Sequence, residues 1–113
     1  MRLRTADGVV VAQVVGGIMT AKRQESKHKL RRPEGWAFDK SVIEQARKGG
    51  AERIHIVCGD TGNTYRTKFS DFIDNAYPMN RGFNNQLVLV MKHWNTEEIA
   101  EQLSLFKEKE NYE

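Results

Sequence analysis

One cysteine, two prolines and no long apolar run: each shortage removes a class of protein. With Cys58 alone, no internal disulfide can form, which fits a reducing compartment. No apolar run approaches the ~20 residues of a membrane-crossing helix. The start, Met1-Arg2-Leu3-Arg4, leads into Asp7-Gly8 and not into a secretory apolar core. A soluble, cytoplasmic protein with no membrane partner is the expectation. No repeat with a period of roughly 20 to 50 residues is visible, and no linker divides the chain. What is present suffices for one core: 113 residues can bury roughly 65% of their unfolded surface. An apolar fraction of 39%, spread over several short runs, argues against global disorder despite 29% charged residues.

The apolar pattern predicts an α+β fold. Val9 to Val15 is nearly continuous and β-branched, as in a strand covered on both faces. Gly16-Gly17 supplies a two-residue hairpin turn, so Ile18 to Arg23 should return antiparallel, with Val10, Ala12 and Val14 sharing a face with Met19 and Ala21. Lys27 to Trp36 has no period and contains Pro33-Glu34-Gly35, the chemistry of a surface loop. Asp39 is placed to cap a helix over Lys40 to Lys48, with Phe38 and Ile43 as its hydrophobic staple. Arg53 to Cys58 and Thr64 to Phe69 alternate as a second hairpin. Ser70 can cap a short helix carrying Phe72, Ile73, Ala76 and Tyr77, stopped by Pro78. Phe83 to Trp94 reads as the longest strand, central in the sheet. Asn95 and Glu98 suggest a capping box for a final helix with Ile99, Leu103 and Phe106 on its apolar stripe.

The expected architecture is therefore a single α+β domain over residues 1–107, with a frayed acidic tail at 108–113. Its order is β-β-α-β-β-α-β-α, with about five mainly antiparallel strands and the helices on one face.

Charge supplies the functional hint. Between Thr20 and Arg32 stand Lys22, Arg23, Lys27, Lys29, Arg31 and Arg32 against the single acid Glu25, with His28 among them. The whole chain carries only +3, so the rest is net acidic. Clustered cations neutralise phosphates and release condensed counterions. Arg66 and Lys68 share one strand face, and Trp36 and Tyr65 offer aromatic planes on which unpaired bases could stack. The leading expectation is a non-enzymatic nucleic-acid-binding or accessory protein, its partner DNA or RNA. No helix-turn-helix, RRM signature or zinc finger is present. A second class is a protein-interaction module or inhibitor that docks this basic arm on an acidic protein surface. From His93 to Glu113 six acids stand against two lysines, a polarity that could also hold the tail over the basic face.

The remaining chemistry is sparse. His55 and Cys58, three apart on a strand, point to opposite faces, and no metal site is expected from the histidines. Cys58 ends an apolar strand and reads as an inert core thiol. Gly59-Asp60-Thr61-Gly62-Asn63-Thr64 lacks the lysine ending of a phosphate loop and runs from strand to strand, as a hairpin loop does. One pattern resembles a known family: Asp7 before the first strand and Glu25-x-Lys27 after the second resemble the Asp…Glu-x-Lys motif of restriction-type nucleases. That resemblance implies a metal-dependent enzyme in which Asp7 and Glu25 hold Mg²⁺ and Lys27 orients the attacking water, with cleavage lost in Glu25→Gln. No cofactor is implied otherwise.

Overall fold

The computed structural model describes residues 1–4, 10–28, 35–81 and 84–98. In chain order its strands are β1 (Arg2–Arg4), β2 (Val10–Val15), β3 (Ile18–Arg23), β4 (Gly35–Asp39), β5 (Arg53–Cys58), β6 (Asn63–Lys68), β7 (Tyr77–Arg81), β8 (Asn84–Val90) and β9 (Asn95–Glu98). The helices are α1 (Glu25–His28), α2 (Lys40–Lys48) and α3 (Phe69–Asn75), with a 3-10 turn at Met91–His93. None of these is long and apolar enough to cross a membrane.

Two hairpins frame the molecule. Gly16 and Gly17, at φ 59° and 79°, make the left-handed turn that joins β2 to β3. Val14 lies opposite Met19 and Ala12 opposite Ala21, the face-sharing that the alternation predicts. In the second hairpin Ile56 faces Tyr65 and Ile54 faces Thr67. The hairpins join side by side through β3 and β5, which run parallel, so Ala21 sits beside Ile56 and Met19 beside Ile54. Adding β1 and β9 at the edges gives a six-stranded sheet of order β1-β2-β3-β5-β6-β9, antiparallel except at that one pair. One row of side chains, Leu3, Ala12, Ala21, Ile56 and Tyr65, therefore crosses five strands, and every member is buried.

That row faces a core built by the crossover and the second half of the chain. α2 lies against β1, β4 and β8 and contributes Val42, Ile43 and Ala46. α3 lies against β5 and β6 and contributes Phe69 and Phe72. Four rings meet between them: Trp36 and Trp94 at 5.5 Å edge to face, Phe38 and Phe72 at 5.9 Å, Phe72 and Trp94 at 6.4 Å. Such pairs contribute ~0.5–1.5 kcal/mol each beyond the area they bury. The end of β1 is tied down by a side chain: Gln45 Nε2 donates to the Arg4 carbonyl at 3.1 Å and its Oε1 accepts from the Arg4 amide at 3.5 Å.

Several expectations are corrected, each by a partner distant in the chain. The loop expected up to Trp36 gives way at Gly35 to β4, which pairs with β8. β8 is central, but in a separate three-stranded sheet of order β4-β8-β7. Tyr77 and Pro78 belong to β7 and not to the preceding helix; β7 is an edge strand, where proline's missing donor is tolerated. Lys68, not Ser70, precedes α3, and Ile73 is exposed. Asp39 holds the N-cap position of α2 without a side-chain cap bond. The Asn95 capping box does not start a helix: Asn95–Glu98 pairs with β6, because the open edge of a sheet offers four residues more backbone bonds than one cap does. The strand at Arg2–Arg4 is too short to show a period; Leu3, fully buried, docks it. The stripe at Ile99, Leu103 and Phe106 and the tail at 108–113 lie outside the described residues.

Gly35 sits opposite Val90 where the two backbones approach closely. A Cβ there would collide with the Leu89 carbonyl oxygen and come within 2.9 Å of Val90 Cα, both main-chain atoms that cannot swing aside. Gly35→Ala is expected to destabilise the fold by about 1–3 kcal/mol in denaturant unfolding, the cost of overpacking. An unchanged midpoint would show that the second sheet yields at this point.

Candidate functional site

The parallel pair β3 and β5 finishes at one end of the large sheet, Arg23 beside Cys58, and β6 begins there with Asn63. Polar side chains gather at that end. β3 leads through Gln24 into α1, whose first residue, Glu25, is buried. Its carboxylate accepts from Tyr65 Oη at 2.6 Å on one oxygen, and from Thr61 Oγ1 at 2.6 Å and Asn63 Nδ2 at 3.1 Å on the other. Asp60, in the β5–β6 loop, answers from the opposite side: its carboxylate accepts from the Glu25 amide at 2.8 Å, the Ser26 amide at 3.2 Å and Ser26 Oγ at 3.0 Å. The bond from the Glu25 amide is the main reason that the Asp60 carboxyl is held below its ordinary value of 3.8. Burial, followed by the bond to Glu25 and its negative charge, pushes the Tyr65 phenol well up, so it stays a donor at any physiological pH.

Arg23 occupies the inner side of the same end. Its guanidinium lies 4.8 Å over the Phe38 ring. Burial lowers its pKa, while the charges of Asp39 and Cys58 oppose that shift. Arginine remains a cation through such a shift. Trp36 and Tyr65 pack on one another at 4.4 Å, and both rings are buried in the core. The expectation that they stack on bases is therefore not met by their packing: neither ring presents a free face. The Trp94 indole donates to the Leu89 carbonyl at 3.1 Å, whereas the buried Trp36 Nε1 has no acceptor among the described residues.

The other side of the six-stranded sheet is different in kind. Register places Arg2, Thr20, His55, Arg66 and Asn95 along one stretch of it, Arg53 opposite Lys68 at one end, and Lys22 beside Val57 at the other. Arg2, Lys22, Arg53 and Lys68 are exposed, and His55 and Arg66 half-buried. Among the described strand residues the one acid that pairing assigns to this side is Glu97, opposite Thr64. Like charges set directly opposite across a ladder, as Arg53 and Lys68 are, are unfavourable to folding.

The residues expected to act together thus divide. Lys22 and Arg23, adjacent in sequence, go to opposite sides of β3 by strand alternation. Lys22 shares its side with Arg66 and Lys68; Arg23 does not. Lys27 and His28 complete α1, their side chains outside the described part, and Asp7, Lys29, Arg31 and Arg32 lie outside the described residues. Arg2 and Arg53 join Lys22 on the basic side without having been singled out by sequence. Alternation with His55 puts Arg53 on this side, but its place opposite Lys68 was not legible, because the strand read from Thr64 begins at Asn63 and the register moves by one residue; Arg2 was not legible, because nothing local predicts β1. Asp60, Thr61 and Asn63 read only as turn residues. Among the described residues no three His, Cys, Asp or Glu side chains form a group that could hold a metal ion. Comparison with protein-family models, with curated proteins and with solved structures finds no match for this chain.

Two outcomes follow. Tyr65→Phe removes a 2.6 Å donor to a buried carboxylate and should cost about 1.5–3 kcal/mol in chemical unfolding, with the denaturant slope unchanged. A loss near zero would mean that the carboxylate is rehydrated. Asp60, with a depressed folded pKa, adds a stabilising tie that is present above the ordinary carboxylate value and lost as pH falls through the folded one. Its carboxyl resonance should titrate below the ordinary range, and Ser26→Ala should raise that midpoint only in part, since both backbone amides remain. An ordinary midpoint in the parent protein would exclude the bond from Glu25.

Proposed function

We propose that this is a small nucleic-acid-binding or accessory domain that holds phosphate with Lys22, Arg53, Arg66 and Lys68 on one side of its large sheet, and with the cations of the segment that leaves β3. The observation that carries the reading is the register of the second hairpin. It sets Arg53 directly opposite Lys68, two like charges facing one another across the ladder, with Arg66 on the same side of β6 as Lys68. A fold retains such unfavourable pairing where a bound anion relieves it. The segment Thr20 to Arg32 adds four further cations beyond the strand, at Lys27, Lys29, Arg31 and Arg32, and Lys22 is the sheet cation contiguous with them in the chain. Base stacking plays no part, since both candidate rings are buried. Contacts of this kind are to backbone phosphate and carry little sequence information.

For the nuclease alternative, β2 begins at the end of the sheet where β3 finishes, which suits the Asp7 and Glu25 pattern. Against it, both oxygens of Glu25 are already engaged by Tyr65, Thr61 and Asn63. A structural duty for Glu25 is the better-supported role.

The test is a salt titration of binding to single-stranded DNA, duplex DNA and RNA. Log K should fall linearly with log salt, and the double variant Arg53→Gln/Lys68→Gln should lower the slope by about 1.4–1.8, two phosphate contacts' worth. Affinity independent of salt, or a slope that ignores the double variant, would sink the proposal. Binding confined to an acidic protein would transfer the same cations to a protein partner.

A further inference from the structure

We infer that the β5–β6 loop is a clasp that fixes the first turn of the basic segment to the sheet, and that Asp60 and Tyr65 are the positioning residues that set how this segment meets a polyanion. The second half of the inference rests on the nucleic-acid reading above; the first half stands without it.

The bonds run in both directions. Asp60 accepts from the two leading amides of α1 and from Ser26 Oγ, while Thr61, Asn63 and Tyr65 donate to Glu25, the residue that starts the same turn. A single helical turn has no stability of its own, because nucleation fixes several dihedrals for one hydrogen bond. Its stability must be supplied from outside, and here the loop and the head of β6 supply it. Glu25 is the one buried carboxylate among the described residues. Burying a charge is costly unless donors surround it, and Thr61, Asn63 and Tyr65, all within the loop and the head of β6, donate to this one. The placement of Glu25 and the conformation of the loop are therefore mutually conditional.

Consequently the turn Glu25–His28, within the basic segment, is held at its first two residues and is not a loose strand end. Anchoring reduces the ordering entropy that a basic segment loses when it binds. Charge and geometry make opposite predictions for this loop. Asp60 is an acid close to a polyanion-binding segment, so removing its charge should by itself strengthen binding. If the loop positions the segment, removing its bonds should weaken binding.

Asp60→Ala removes charge and bonds; Asp60→Asn removes the charge and keeps an accepting oxygen. Amide hydrogen exchange at Glu25 and Ser26 is expected to accelerate about tenfold in Asp60→Ala, the equivalent of one ordinary hydrogen bond, and less in Asp60→Asn. Exchange at Ile54, Ile56 and Thr67 should be unchanged, which certifies the sheet. Affinity for a short oligonucleotide at fixed salt should fall about threefold to tenfold in Asp60→Ala relative to Asp60→Asn. Unaltered exchange at Glu25 and Ser26 in Asp60→Ala overturns the clasp. Faster exchange with equal affinity in the two variants overturns its role in presentation. If the parent protein binds no polynucleotide at low salt, the nucleic-acid reading and the presentation role fall together, and exchange alone decides whether the clasp exists.

Discussion

The parallel pairing of β3 with β5 is the constraint on which the rest of the molecule depends. Antiparallel neighbours need only a tight turn, but a parallel pair needs a crossover long enough to bring the chain back to the starting end. Here the crossover runs from Gln24 to Glu52 and contains α1, β4 and α2. It supplies Trp36, Phe38, Val42, Ile43 and Ala46 to the core, and it carries β4, an edge strand of the second sheet. The same pairing brings the exit of β3 beside the exit of β5. That adjacency is why Glu25 meets a hairpin loop some forty residues away, and why Lys22 lies on the same side as Arg53.

The elements legible in the sequence are those whose signals are local. Gly16-Gly17 between two apolar runs contains its hairpin complete, register included, and Arg53 to Cys58 matches its strand to the residue. α2 reads from Val42, Ile43 and Ala46 and from its two terminal glycines. The elements that escape, β1, β4, β7, β9 and α1, draw their partners from elsewhere in the chain. The sequence around Asn95 shows the conflict most clearly: a sound helix-start signal is overridden by pairing with β6, since propensity is a weak prior against tertiary context. Of the candidate site, Lys22, Arg66 and Lys68 were legible as strand positions. The loop acids and amides were not, because a hydrogen bond between residues 35 or more apart leaves no spacing to read.

A run of cations in sequence is not a patch in space. Alternation along β3 separates Lys22 from Arg23 by the thickness of the sheet, and Arg23 is engaged with an aromatic ring and with the field of Asp39. Conversely, Arg53 and Lys68, fifteen residues apart, stand directly opposite. The ladder determines which charges add.

The separation of β3 from β5 in sequence also bears on synthesis at the ribosome. The first hairpin is finished once Arg23 has emerged, but the edge of β3 that will receive β5 stays uncovered until Cys58 follows. An uncovered edge is a template for another nascent chain. Lys22 and Arg23 close this edge with charge at its tip, and the six cations that begin there repel a second copy of the same intermediate. Two such intermediates meeting edge to edge would therefore set like charge against like charge at the very strand that β5 later covers.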